Sequence, residues 1–199
     1  MSIPKQQPII YLASKSPRRR TLLEQIGVPY KLINIDIPEQ QAEGETALAY
    51  IKRVTCDKAR AASQQAADLP ILAADTEVVL DGQILGKPAD HAAAMQMLRT
   101  LSGREHEVIS AVALLTTTGQ LHTRVNKSTV HFKTLSEAEC EAYCQTDEPW
   151  DKAGGYAIQG KAAAFITKIE GSYSGIMGLP LHETAELLAK LQPKIPHPK

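Results

Sequence analysis

Between Ser14 and Arg20 the chain reads Ser-Lys-Ser-Pro-Arg-Arg-Arg, a stretch that concentrates the donors an anion needs. Ser16 suits a helix N-cap and Pro17 the first helical position. Lys15, Arg18, Arg19 and Arg20 then fall in or beside the first turn of a helix. Exposed cations there work against the macrodipole by about 0.3–1 kcal/mol each. Their presence points to something anionic opposite. Free backbone N–H groups, two serine hydroxyls and guanidinium forks together make a phosphate cradle. A carboxylate from elsewhere in the fold, or plain solvent, would serve the same charges. No G-x-x-x-x-G-K-[ST] run occurs, which removes P-loop phosphoryl transfer.

A second polar feature interrupts an apolar run. Pro70 to Leu80 reads as a buried strand in all but Asp75, Thr76 and Glu77. An unpaired buried carboxylate is costly, so Asp75 needs a cationic partner, a metal or an opening to a cleft. Side chains alternate along a strand, placing Asp75 and Glu77 on one face and Thr76 on the other. In a cleft Asp75 could hold Mg²⁺ or take a proton from water. A strand that emerges into solvent at this point would need neither. Lys87 either folds back toward Asp75 or stays on the surface. Cys140 and Cys144 lie one helical turn apart without a second pair of ligands, so they read as ordinary thiols. His182-Glu183 is no zincin motif, because Glu186 stands where the second histidine would be, and the six histidines show no ligand spacing. Trp150 reads as packing or as a cleft wall.

The elements that must carry these groups alternate along the chain. Pro8 to Ala13 reads as a strand, the stretch after Pro17 as a helix closed by Gly27, and Tyr30 to Ile35 as a second strand. Thr46 to Ala67 is a long helix, with Leu48, Ile51 and Ala59 at helical spacing. Pro70 to Leu80 turns at Asp81-Gly82 into a short arm, Gln83 to Leu85. Asp90 caps a helix ending at Gly103, and Glu107–Leu115 with Leu121–Phe132 reads as a long hairpin. Ser136 to Glu139 is a capping box. Phe165 to Ile169 is a further strand and His182 to Leu191 a final helix before Pro193. The class is α/β with a mixed sheet, in a single domain over residues 1–199.

Composition bounds what such a domain does. With 199 residues, 43% apolar and 22% charged, the chain has material for a real core. Lys plus Arg and Asp plus Glu both number 22, and a net charge of zero argues against a nucleic-acid binder. Lys15 to Arg20 also lacks interleaved aromatics. No run approaches the ~18 apolar residues of a membrane span. Met1 to Gln7 is polar, with Pro4 and Lys5, and Ile9 to Ala13 is too short for a signal core. Three cysteines, an odd count, fit a reducing cytoplasm better than a disulfide framework.

Taken in order, these blocks resemble the Maf family of nucleotide pyrophosphatases. Ala13-Ser14-Lys15-Ser16-Pro17-Arg18-Arg19 is similar to the family's opening loop, and Asp57-Lys58-Ala59-Arg60 to its lysine motif. Ala74-Asp75-Thr76, with Gly82, Leu85 and Lys87-Pro88, is similar to its central block. Leu101-Ser102-Gly103, His106-Glu107-Val108 and Asp151-Lys152-Ala153-Gly154 follow, the last with Tyr156, Ile158, Gln159 and Gly160. Gly171-Ser172-Tyr173 and Gly178-Leu179-Pro180 complete a likeness that runs from about residue 9 to 191. Lys15 and Ala73 stand where the family commonly has glycine, and Gly155 and Ala157 also depart from its pattern. The chain looks most like the branch acting on dTTP and UTP, whose three specificity positions fall on Arg18, Thr76 and Gln159. The sister branch acting on 7-methyl-GTP is an alternative. So is a non-catalytic nucleotide-binding regulator of cell division, since the family was first tied to septum formation.

The resemblance implies a mixed sheet bent into two lobes with a central cleft, as in inosine triphosphatases. It implies hydrolysis of a nucleoside triphosphate to the monophosphate and pyrophosphate, with a divalent metal cation, Mg or Mn. Ser14, Ser16, Arg18 and Arg19 would bind phosphate, and Lys58 and Lys87 would converge on it. Asp75 is the implied proton acceptor and, with Glu39, the implied metal ligand; Glu39 on its own reads as a loop carboxylate. The Gln159 amide offers a donor and an acceptor to a pyrimidine edge. Gly154, Gly155 and Gly160 suggest a backbone that comes close to the base. Modified pyrimidine nucleotides such as 5-methyl-UTP are within the scope of such a pocket. The expected partner is the nucleotide, not nucleic acid or membrane, and family members are often homodimers.

Overall fold

The computed structural model describes residues 7–191; Pro4 and Lys5, like Pro193 and His197, lie outside the described residues. Strand β1 (Ile10–Ala13) leads into helix α1 (Pro17–Gln25) and strand β2 (Tyr30–Ile33). Helix α2 (Ala47–Ser63) precedes the long strand β3 (Ile71–Leu80) and its short return β4 (Gln83–Leu85). Helix α3 (His91–Leu101), the hairpin β5 (Glu105–Leu115) and β6 (Leu121–Phe132), and helix α4 (Glu137–Cys144) follow. Strand β7 (Ile166–Glu170) and helices α5 (Tyr173–Met177) and α6 (Leu181–Leu188) end the described chain.

Local chemistry accounts for most of these boundaries. Thr46 and Asp90 cap α2 and α3 by accepting the N–H of Ala49 and Ala93. Ser136 and Glu139 form a reciprocal capping box at α4. Asp81 and Gly82 both have positive φ, 51° and 78°, as the tight hairpin turn requires. Ser16 stands at the N-cap of α1, but its side chain makes no capping bond. Instead its N–H donates to Ser14 Oγ at 3.1 Å. Sequence reading finds no helix at α5, whose five residues include a glycine and are too few to show a period.

The sheet has seven strands in the order β2-β1-β3-β5-β6-β7, with β4 beside β3. β1 runs parallel to β2 and β3, and the remaining pairs are antiparallel. One edge of β3 is shared by two partners. β1 covers it as far as Ala73, and β4 takes over at Val78. Residues 74–77 are therefore paired only on the β5 side. The apolar core divides at the same place: Leu72 and Ala74 pack in one cluster, Val78 and Leu80 in another. Among the described residues no helix is long and apolar enough to cross a membrane, and Cys56, Cys140 and Cys144 are free thiols.

Candidate active site

The gap in the β3 edge opens into a cavity of about 870 Å³, within the size range of ligand pockets. β1 ends beside Ala73, so the loop after its C-terminal end lands next to Asp75, where parallel α/β strands commonly place ligands. Ser14 to Arg19, Asp75 to Glu77, Lys87, Lys152 and Gln159 all border the same space. Helix α2 packs on β3 and brings Lys58 in from its buried face.

Asp75 is the most heavily engaged group. Its Oδ2 receives the Lys58 ammonium at 2.9 Å, and its Oδ1 receives the Thr76 N–H at 3.1 Å. The Arg19 guanidinium stands 3.6 Å from Oδ1. The Asp75 side chain is 9% exposed and that of Lys58 11%, so this pair is sheltered from water. Lys58 also meets Glu39 Oε1 at 2.9 Å. The Glu39 loop is tied to α2, because Tyr50 Oη donates to the Glu39 carbonyl and Arg53 to the Gln40 carbonyl while gripping Glu45. Glu77 shares the face of Asp75, as strand alternation demands. Burial, then the charge of Asp75, pushes its carboxyl up to about 8.

The basic loop splits its cations between two tasks. Arg19 is committed to the protein: Nε donates to the Gly178 carbonyl at 2.8 Å and a terminal nitrogen to Ser14 Oγ at 3.3 Å. With Asp75 also in reach, it holds the carboxylate rather than standing free. Arg18, by contrast, forms no ion pair or hydrogen bond among the described residues. Burial lowers its pKa, Arg19 lowers it further, and Asp151 acts the other way. Lys152 is lowered by burial and then by Arg18. Arg18 and Lys152 thus repel one another in a half-buried cavity, an arrangement that a polyanion relieves.

The remaining expected residues divide similarly. Thr76 Oγ1 lies 2.7 Å from Ser110 Oγ and 3.3 Å from the Gly178 carbonyl, so its hydroxyl ties β3 to the segment after α5. Lys87 is exposed at the cavity rim. The Gly154 N–H donates to the Gly86 carbonyl at 3.0 Å and fixes the chain beside it. Gln159 is exposed and borders the cavity. Two of the glycines are also required by their protein neighbours. A Cβ on Gly154 would stand 3.0 Å from three carbons of Val78, and one on Gly160 would overlap the Glu148 carboxylate. Sequence reasoning missed Glu77 as a cavity group, although the period-two pattern already placed it beside Asp75. It also missed the contact between His106 Nε2 and Tyr156 Oη at 2.7 Å, for which two residues 50 apart leave no spacing signal.

Among the described residues no three His, Cys, Asp or Glu side chains come together as a ready-made metal site. Asp75 and Glu39 nonetheless bracket one point, now taken by the Lys58 ammonium, with Glu77 beside them. That donor set is all carboxylate oxygen and shares the cavity with the basic loop from Ser14 to Arg19. It suits a hard divalent cation that takes one or two carboxylates and completes its shell from substrate phosphates and water.

A family model described as Maf-like protein matches residues 9–191. The dTTP/UTP pyrophosphatase of Bordetella pertussis is 52% identical over 190 residues, covering 91% of each chain. That of Chromobacterium violaceum is 50% identical over 192 residues, covering 94% of this chain and 96% of its own. Among solved structures, the Ham1 protein of Staphylococcus aureus superposes with a TM-score of 0.50 at 12% identity, over 92% of this chain and 96% of that one. The last likeness concerns the fold alone.

Proposed function

The chain belongs to the Maf-like family, and from that premise we propose that it is a nucleoside triphosphate pyrophosphatase that hydrolyses dTTP and UTP. One observation carries the reading. A carboxylate held between Lys58 and Arg19 shares a cavity with Arg18 and Lys152, half-buried cations that repel one another and that form no ion pair among the described residues, with Asp151 and Glu148 acting the other way. A triphosphate supplies the missing negative charge.

Asp75 takes a proton from the attacking water. The water oxygen bonds to the α-phosphorus, the bond from that phosphorus to the bridging oxygen breaks, and pyrophosphate leaves with the electron pair. Lys58 and Arg19 hold and orient the Asp75 carboxylate, while Ser14 and Ser16 shape the loop around the phosphates. Arg18, Lys87 and Lys152 balance charge that grows on the leaving group. A divalent cation, Mg or Mn, bound by Asp75 and Glu39 would neutralise phosphate charge and polarise the reacting phosphorus. Gln159 reads the pyrimidine edge, and Thr76 acts on specificity through the Gly178 segment it is bonded to. Three free thiols support a reducing compartment such as the cytoplasm.

Pyrophosphate release from a panel of dTTP, UTP, CTP, GTP and 7-methyl-GTP tests the proposal. Preferential cleavage of dTTP and UTP is expected. Preferential cleavage of 7-methyl-GTP would overturn the substrate assignment, and binding without any cleavage would overturn the enzyme.

A further inference from the structure

Gln159 sits at the tip of a turn that is held from outside. The Gly160 N–H donates to the Ala157 carbonyl at 3.1 Å and closes the turn around Ile158 and Gln159. Before the tip, the Ala157 N–H donates to Tyr143 Oη at 3.3 Å. After it, the Lys161 N–H donates to both carboxylate oxygens of Glu148, each at 2.8 Å. The same carboxylate lies flat against Gly160, where a Cβ would overlap Oε2. The Gly160 backbone has φ −106° and ψ −155°, which other residues adopt freely, so the carboxylate and not the dihedral demands glycine. Glu148 is itself placed by its N–H, which donates to Thr146 Oγ1 at 3.2 Å just after α4.

We propose that Glu148 governs base selection without touching the base: by gripping the Lys161 N–H and lying on Gly160 it fixes the turn that presents Gln159. It is a positioning residue, and the inference rests on Gln159 being the base reader. The chemistry of the amide explains why fixing matters. A glutamine carries one acceptor oxygen and a donor nitrogen, and an amide free to turn satisfies a uracil edge and a cytosine edge alike. A held backbone fixes where the amide starts and so narrows the orientations in which it can meet either edge. A charge-assisted bond from a carboxylate to a backbone N–H is among the stronger ways to hold one.

The test is the ratio of kcat/KM for UTP over CTP in the wild type and in Gln159→Ala, Glu148→Ala, Glu148→Gln and Gly160→Ala. Glu148→Ala is expected to lower the ratio about tenfold, the scale of one net hydrogen bond lost from the support of the turn. Glu148→Gln keeps an acceptor oxygen and should recover most of it. Gly160→Ala leaves the carboxylate in the chain but displaces it, and should behave like Glu148→Ala even where that variant folds poorly. Adding Glu148→Ala to Gln159→Ala should change the ratio no further. If Glu148→Ala and Gly160→Ala lose thermal stability at an unchanged ratio while Gln159→Ala loses the ratio, Glu148 is merely structural and the inference fails. An unchanged ratio in Gln159→Ala would instead overturn the reading of Gln159, and the inference with it.

Discussion

Replacing Lys58 by methionine keeps the bulk of a buried side chain and removes its charge. The consequence is set by what Asp75 retains. Both side chains are sheltered, at 9% and 11% exposure, and their contact is 2.9 Å. Breaking such a pair from one side costs about 3–5 kcal/mol, chiefly through the uncompensated charge left behind. Asp75 keeps the Thr76 N–H at 3.1 Å and Arg19 at 3.6 Å, so the lower end, about 3 kcal/mol, is expected. The double variant Lys58→Met with Asp75→Asn removes both charges and should regain about 2 kcal/mol of that loss. Urea unfolding of the two single variants and the double variant measures this coupling directly. A coupling energy within the ~0.5 kcal/mol scatter of independent sites would mean that Lys58 does not hold Asp75, and the orientation argument would fall.

Other consequences are as specific. Asp75→Asn should lose turnover by at least about a hundredfold while nucleotide binding, followed by calorimetry, stays measurable; turnover within a few-fold of wild type would remove Asp75 as proton acceptor. Arg18→Ala relieves repulsion among Arg18, Arg19 and Lys152, so it should raise KM for the triphosphate without lowering the melting temperature. A fall in melting temperature at unchanged KM would assign Arg18 to structure. Burial lowers the His106 pKa from 6.5 to about 4. The folded value lies below the unfolded one, so the native state resists protonation and this stability is lost as pH falls from about 6.5 to 4. The shift amounts to about 3 kcal/mol, and a His106→Gln variant should show a flatter loss of stability across that window. Parallel stability curves for the two proteins would refute the assignment.

The fold was legible wherever a local rule decides it. Thr46, Asp90 and the Ser136–Glu139 box mark helix starts by side chains that reach only three residues, and Asp81-Gly82 marks a hairpin by its own dihedrals. The expected strand from Tyr30 to Ile35 stops at Ile33, where its pairing with β1 ends at Ala13. The site was legible as a set of residues: Ser14, Ser16, Arg18, Arg19, Glu39, Lys58, Asp75, Thr76, Lys87 and Gln159 all line one cavity. Their division of labour was not. Arg19 is spent on Asp75 and a carbonyl 159 residues away, and Thr76 on Gly178 and on Ser110, its partner in the β3–β5 register. Glycine at 160 carries no hint in sequence of the carboxylate at Glu148 that requires it. Such contacts join distant parts of the chain and leave no periodicity behind.

Hydrolysis of dTTP in ¹⁸O-labelled water, followed by ³¹P NMR of the products, bears on the chemistry most simply. Attack at the α-phosphorus by a water that Asp75 deprotonates puts the label in the monophosphate and leaves pyrophosphate unlabelled. Label in pyrophosphate, or release of inorganic phosphate with a nucleoside diphosphate, would contradict it.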